Sequence, residues 1–413
     1  MKEKIKGKLN SSPEKFNIRS VKRIVDTINV IIKAEYFLGI FRFTIVHGSL
    51  REPNWKLKIL SALIVLICST LFLLLSESYY GLSSHLYRNF TDSTVINLSY
   101  FVMMAMQYSI HAITITFCFN ASNICIINML ANMDTMLKAK ILNNFYKKSL
   151  FQSYIYVLLV VSTQFSITTL ACCTLNTSWS LIAGILDIVQ RLEIVIFCRY
   201  IDLLRQRLGV INNYIKKFVS EQEKPSALVF TIRNRTIETT ETINFIGEAS
   251  ESNDKIRDLA KIYGTIGHTS SMVNKMFNFQ ILTVIMSTFI FIIAIMWTCL
   301  KFYRNNYSNT GYLLNLILST MFWISYIALM SITCERLILL RKETKSLVNK
   351  IVMNYDLPTT MRDQAKAFMQ LVEAWPLRIH IYDMFSVDIT LILKFISVAT
   401  TYLIVVIQII KFF

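Results

Sequence analysis

A few polar and ionisable side chains interrupt stretches otherwise apolar enough to lie in lipid, and their spacing is the first clue to chemistry. Between Trp179 and Cys198 the interruptions are Asp187, Arg191 and Glu193. Ionisable groups at membrane depth are costly and mark functional positions by default. Asp187 and Arg191 also stand four residues apart on one helical face, where they neutralise each other, and a structural pair is the expected role. Near the end of the chain Lys394, Ser397, Thr401, Val405 and Gln408 fall at spacings of three, four and seven, one stripe of a 3.6-residue helix. Such a stripe needs a wet or polar surface to face. It faces either a water-filled path or a neighbouring helix to which it hydrogen-bonds. Tyr402, about 100° round the helix from Thr401, is expected to pack between helices.

A second group of residues suits a small amphiphilic ligand, for which aromatic walls and a few polar groups are the usual lining. Tyr100, Gln107, Tyr108 and His111 share one face of an apolar run, and Asn315, Ser319, Phe322, Trp323 and Tyr326 share a face of another. Gln164 and Trp297 are placed to complete a cavity with them. The same stripes also serve as helix contacts and interfacial belts, and His111 is expected to be packed and hydrogen-bonded. No nucleophile stands with a base, and no HExxH, GxSxG or P-loop occurs, so no catalytic residue, cofactor or metal site is expected. The eight cysteines show no CxxC spacing and read as buried free thiols.

The elements that position these residues must be membrane helices. Of 413 residues 54% are hydrophobic and only 17% charged, against roughly 25% charged in a soluble domain. A bilayer core of about 30 Å takes roughly 20 residues of helix. Seven runs approach or meet that: Ile59–Ser76, Leu98–Phe119, Leu150–Leu175, Trp179–Cys198, Phe279–Leu300, Tyr312–Cys334 and Ile389–Ile410. Only Asn176, Thr177 and Ser178 separate the third from the fourth, which predicts a tight hairpin. With 10 Gly and 5 Pro the helices should be mostly continuous.

Loop charge sets the expected orientation. The loops on one side hold 37 Lys and Arg against 3 on the other, which places the N-terminus in the cytoplasm and Phe413 outside. The organisation that follows is a cytoplasmic segment 1–58, helices one to four over 59–198, and a long cytoplasmic loop with helical extensions over 199–278. Helices five and six then occupy 279–334, an anchor segment 335–388, and the last helix 389–413. Within the first segment Ile18–Val46 mixes apolar periodicity with basic residues, the pattern of a helix lying along the membrane surface; no cleaved signal peptide is expected. The net charge of +17 is dispersed among apolar spans, which favours anionic lipid over nucleic acid as partner. Asn89, heading Asn-Phe-Thr in the first outer loop, is the sequon best placed for glycosylation.

The last span carries a specific resemblance. Phe385-Ser-Val-Asp388, then Thr401-Tyr402, five apolar residues and Gln408, is similar to the signature that closes insect gustatory receptors. Ile409 stands where that family usually has Phe. The resemblance implies an all-α receptor of seven transmembrane helices in the plasma membrane of chemosensory neurons. It implies a homo- or hetero-tetramer in which four copies of the last helix line a conduit for monovalent and divalent cations, opened by a small-molecule tastant, with Thr401, Val405, Gln408 and Ile409 at the pore. The alternatives are an odorant-receptor-type channel subunit and a G-protein-coupled chemoreceptor. The last would have the opposite topology, and neither a DRY-like end to the third span nor NPxxY in the seventh is present.

Overall fold

The computed structural model describes residues 18–46, 49–86, 91–137, 143–175, 179–222, 245–304 and 310–412. Asn89 lies outside them, as do the side chains of Tyr100 and Ile409. The described chain is helical apart from two short hairpins: α1 (Ile18–Phe37), β1 (Thr44–Val46), β2 (Ser49–Arg51), α2 (Trp55–Leu86), α3 (Thr91–Ile113) and α4 (Asn120–Met136). There follow α5 (Asn143–Leu175), α6 (Trp179–Gln222), α7 (Lys255–Arg304), α8 (Thr310–Met353), α9 (Thr359–Ala374), β3 (His380–Ile381), β4 (Phe385–Ser386) and α10 (Ile389–Phe412).

Length and apolarity alone qualify four helices among the described residues as membrane spans, or five when the bent α3–α4 pair is counted as one. The exposed surface has the matching chemistry: α2 turns Leu63, Leu66, Ile67 and Leu74 outward, and α5 turns Phe151, Leu158 and Phe165 outward. Apolar side chains in such a continuous band need lipid. α6 falls outside the count because its charges lie within its apolar stretch. It is the central helix, with every side chain from Val189 to Ile201 buried. Its buried Gln190, Arg191, Glu193 and Arg199 face protein in the interior of the bundle.

Three local features shape the fold beyond its apolar runs. The run Leu98–Phe119 is not one continuous helix. It passes through a π-helical turn at Thr114–Cys118, where Phe119 N–H reaches back to Thr114 C=O, and the axis then bends by 65° into α4. Thr114 Oγ1 donates to the Ile110 and His111 carbonyls at 2.8 and 3.0 Å, the kind of side-chain intrusion that bends a helix. Second, the amphipathic segment forms α1, but its apolar face (Ile24, Val25, Ile28, Ile31, Ile32) is buried in the protein core, against α4, α5 and α6. It meets protein because α4 supplies an apolar surface that the sequence pattern had left as loop. α1 ends in a Schellman turn, with Gly39 at φ +80° and N–H bonds from Gly39 and Ile40 to Tyr36 and Glu35 carbonyls. A Cβ at Gly39 would also stand 2.8 Å from Ile64.

Third, α6, α7 and α8 continue well beyond their apolar stretches and pack with α9 into a distal bundle. α9 buries Met361, Ala365, Phe368 and Val372, one face at spacings of three and four. Tyr263 on α7 stacks edge-on against Phe368 and donates to the Trp375 carbonyl at 2.9 Å. Gly267 gives Trp375 room, since a Cβ there would lie 2.5 Å from the indole. Arg341 on α8 closes the end of α9 by donating to the Val372 carbonyl at 2.9 Å. All eight cysteines are free.

Candidate functional site

The α6 charges organise two sites. About twelve residues into α6, Arg191 is fully buried. Its nearest carboxylate oxygen, on Asp187, is 3.7 Å away, beyond hydrogen-bond length. The guanidinium carbon sits 5.5 Å from the Trp323 ring and 5.3 Å from the Tyr326 ring, within cation–π range. Neither Nε nor either Nη has a hydrogen-bond partner. Asp187 Oδ1, Gln164 Oε1 and, next along α6, both ends of the Gln190 amide are also unmatched. Gln164 on α5 reaches Asp187 Oδ2 at 3.5 Å. Gly184 permits this approach of α5 to α6, since a Cβ there would meet Thr168 Oγ1 at 2.6 Å.

The expected ligand residues therefore separate. Gln164, Trp323 and Tyr326 converge on the Asp187–Arg191 pair. Gln107 and Tyr108 are buried on α3, with Tyr108 in a distinct apolar cluster beside Phe72, Leu186 and Val189. His111 is buried and bonds Thr283 Oγ1 at 2.9 Å through Nε2. Phe322 is half-buried on α8 and Trp297 half-buried near the end of α7.

The other site is one that sequence reasoning missed. Arg42, in the turn after α1, is buried and bonds Glu35 through Nε at 2.7 Å and Nη2 at 2.9 Å, while Nη2 also reaches Glu193. Burial by itself would lower the Arg42 pKa, but the Glu193 and Glu35 carboxylates outweigh it and raise it above the ordinary guanidinium value. Burial, with the Glu35 charge adding, pushes the neighbouring Tyr36 phenol up to about 12. The signal was a lone arginine between Phe41 and Phe43. This trio ties α1 to α6, and its bidentate geometry is that of a structural clamp.

α10 is held on one face. Leu391 and Phe395 are buried, and Phe289 on α7 meets Phe395 at 6.4 Å and Tyr402 at 5.2 Å, edge-on in both cases. The side chains of Lys394, Ser397, Thr401, Val405 and Gln408 are exposed in the single chain. The approach motif has a clear local function. Phe385 and Ser386 pair with Ile381 and His380, and Tyr382 N–H bonds Asn278 Oδ1 on α7 at 2.9 Å. Asp388 then caps α10, accepting from Thr390 N–H at 2.9 Å, Thr390 Oγ1 at 2.5 Å and Ser386 Oγ at 2.6 Å. Partial burial pushes that carboxyl up, and the hydrogen bonds outweigh it, leaving it below its ordinary value. No group of His, Cys, Asp and Glu able to hold a metal occurs among the described residues.

The fold resembles two solved structures. The insect olfactory receptor OR5 from Machilis hrabei superposes with a TM-score of 0.64 at 13% identity, over 95% of this chain and 100% of that one. The same receptor in complex with eugenol gives 0.63 at 13% identity, over 94% and 97%. No curated protein sequence matches. The family profile described as 7tm Chemosensory receptor matches residues 29–412, nearly the whole chain. Its members are membrane receptors rather than enzymes, and the chain belongs to this chemosensory receptor family.

Proposed function

We propose that this receptor is a gustatory ligand-gated cation channel: a small-molecule tastant bound among the membrane helices opens a non-selective conduit lined by four copies of α10. The observation that carries the reading is α10 itself. One face is pinned to α7 through Phe289, while Thr401, Val405 and Gln408 stand exposed at helical spacing on the free surface. An exposed glutamine on a membrane helix calls for water or a partner, and fourfold assembly around α10 supplies both. Tyr402, against Phe289, transmits movement of α7 to the pore helix. In this reading the N-terminus is cytoplasmic and the conduit opens outward, with Ile409 as its hydrophobic closure and Asn89 as a glycan acceptor on the outer loop.

The gustatory assignment rests on Thr401-Tyr402 and Gln408. The ligand is taken to be a small amphiphile, in keeping with eugenol in the related olfactory receptor. An odorant-type channel subunit is the second reading, favoured by that fold likeness. Recording from excised patches of cells expressing this chain alone, against a panel of tastants and odorants, tests the proposal. A cation current reversing near zero and needing no GTP is expected. A response that appears only with GTP, or no evoked current from surface-expressed protein, contradicts it.

A further inference from the structure

We infer that Arg191 and Asp187 form a polar clamp for a neutral ligand that carries both a strong hydrogen-bond acceptor and a hydroxyl. The inference rests on the ligand-binding part of the function proposed above and names the chemistry of that site. Buried polar groups are almost always hydrogen-bonded, and a guanidinium brings five N–H donors. Arg191 is wholly buried, yet none of its nitrogens is bonded. Two aromatic rings flank the cation without satisfying the donors, which lie in the guanidinium plane. Asp187 stands near enough to balance the charge and too far to bond. A pair with a structural role alone would close that gap; this one keeps donors on one member and a free Oδ1 acceptor on the other.

Charge selects the ligand. An anion drawn to Arg191 would lie against Asp187, and a cation drawn to Asp187 would meet Arg191. A neutral molecule with a carbonyl toward Arg191 and a hydroxyl toward Asp187 satisfies both. Gln164, whose Nε2 stands 3.5 Å from Asp187 Oδ2, leaves its own Oε1 unmatched there.

The test measures binding to the full-length receptor in lipid nanodiscs by ligand-induced thermal shift, a readout independent of current. Its probes are para-hydroxyacetophenone, para-ethylphenol (hydroxyl only), acetophenone (carbonyl only), ethylbenzene and the anion para-hydroxybenzoate. Para-hydroxyacetophenone should bind about ten-fold or more tighter than either monofunctional probe, the scale of a hydrogen bond to a charged group. Arg191→Met should abolish the preference for the carbonyl, and Asp187→Asn the preference for the hydroxyl. Arg191→Lys keeps the charge near the rings, should fold as wild type, and should lose most of the carbonyl preference. The inference is overturned if no probe binds, if the carbonyl preference survives in Arg191→Lys, or if the benzoate binds tightest. Arg191-dependent binding with no current in any condition would leave the clamp standing and remove the channel. Tastant currents unchanged by Arg191→Lys would do the reverse.

Discussion

Two stretches of α6 bury polar side chains equally deeply: around the one past Cys198 each of these side chains makes at least one hydrogen bond, and in the one before it two side chains make none. Past Cys198, Asp134 on α4 accepts hydrogen bonds at Oδ2 from Arg207, at 2.8 Å, and from Tyr146 on α5, while Asp134 Oδ1, Arg207 Nε and Arg199 Nε have no partner. Asn212 accepts from Thr344 at 2.7 Å and donates to the Leu340 carbonyl at 3.1 Å, and Arg199 donates to the Ser149 carbonyl at 2.9 Å. Farther back along the same helix, α6, the Gln190 amide and the Arg191 guanidinium have no hydrogen bond. Matched groups fix one arrangement of helices. Unmatched groups raise the free energy of the empty receptor and leave it ready for something that matches them. One helix thus carries a rigid half and a receptive half.

Removing one partner of a matched pair should have the largest effect. Asp134→Ala strands the Arg207 charge in the core and should cost about 3–5 kcal/mol, seen as a large drop in melting temperature and in surface protein. If Asp134→Ala melts like wild type, the stretch past Cys198 is not the rigid half. A smaller loss follows from crowding: Gly267→Ala puts a methyl into the Trp375 ring and should cost about 1–3 kcal/mol, visible as a lower melting temperature together with increased Trp375 fluorescence exposure.

The cap of α10 comes next. Asp388→Ala should cost about 1 kcal/mol at neutral pH. Because the folded carboxyl titrates below its ordinary value, its contribution is complete above about pH 4 and fades as pH falls through the depressed value. Melting curves of the wild type should therefore lose that increment on acidification, and Asp388→Ala should not. The smallest effect is expected in the receptive half. Asp187→Leu combined with Arg191→Met removes a buried pair that makes no hydrogen bond between its members and should melt at or above wild type, since apolar replacement of buried ions is often neutral or stabilising. A marked loss of stability would move Arg191 into the structural class and erase the contrast.

Much of this architecture was legible in the sequence. The facing ends of α5 and α6 follow from three polar residues between two apolar runs. The exposed stripe of α10 was visible as spacing alone. The bend after α3 was not, because it depends on the Thr114 hydroxyl reaching backbone carbonyls, with neither Gly nor Pro to announce it. The clamp of Arg42 by Glu35 and Glu193 joins residues 151 positions apart, a distance over which no periodicity speaks. Asp187 and Arg191 were legible as a pair but not as an unbonded one, since the rings that flank Arg191, Trp323 and Tyr326, come from α8, more than 130 residues on.

The proposed cation conduit lined by four copies of α10 makes its sharpest demand at Gln408. Permeability ratios should be measured for Gln408→Glu beside Ile409→Ala in patches from cells with confirmed surface protein. Four carboxyls in one ring repel one another, so some stay protonated, yet the remaining charge should raise calcium preference or produce divalent block. Widening the hydrophobic ring with Ile409→Ala should raise current in the absence of ligand. Wild-type selectivity in Gln408→Glu together with unchanged leak in Ile409→Ala would contradict the proposed conduit.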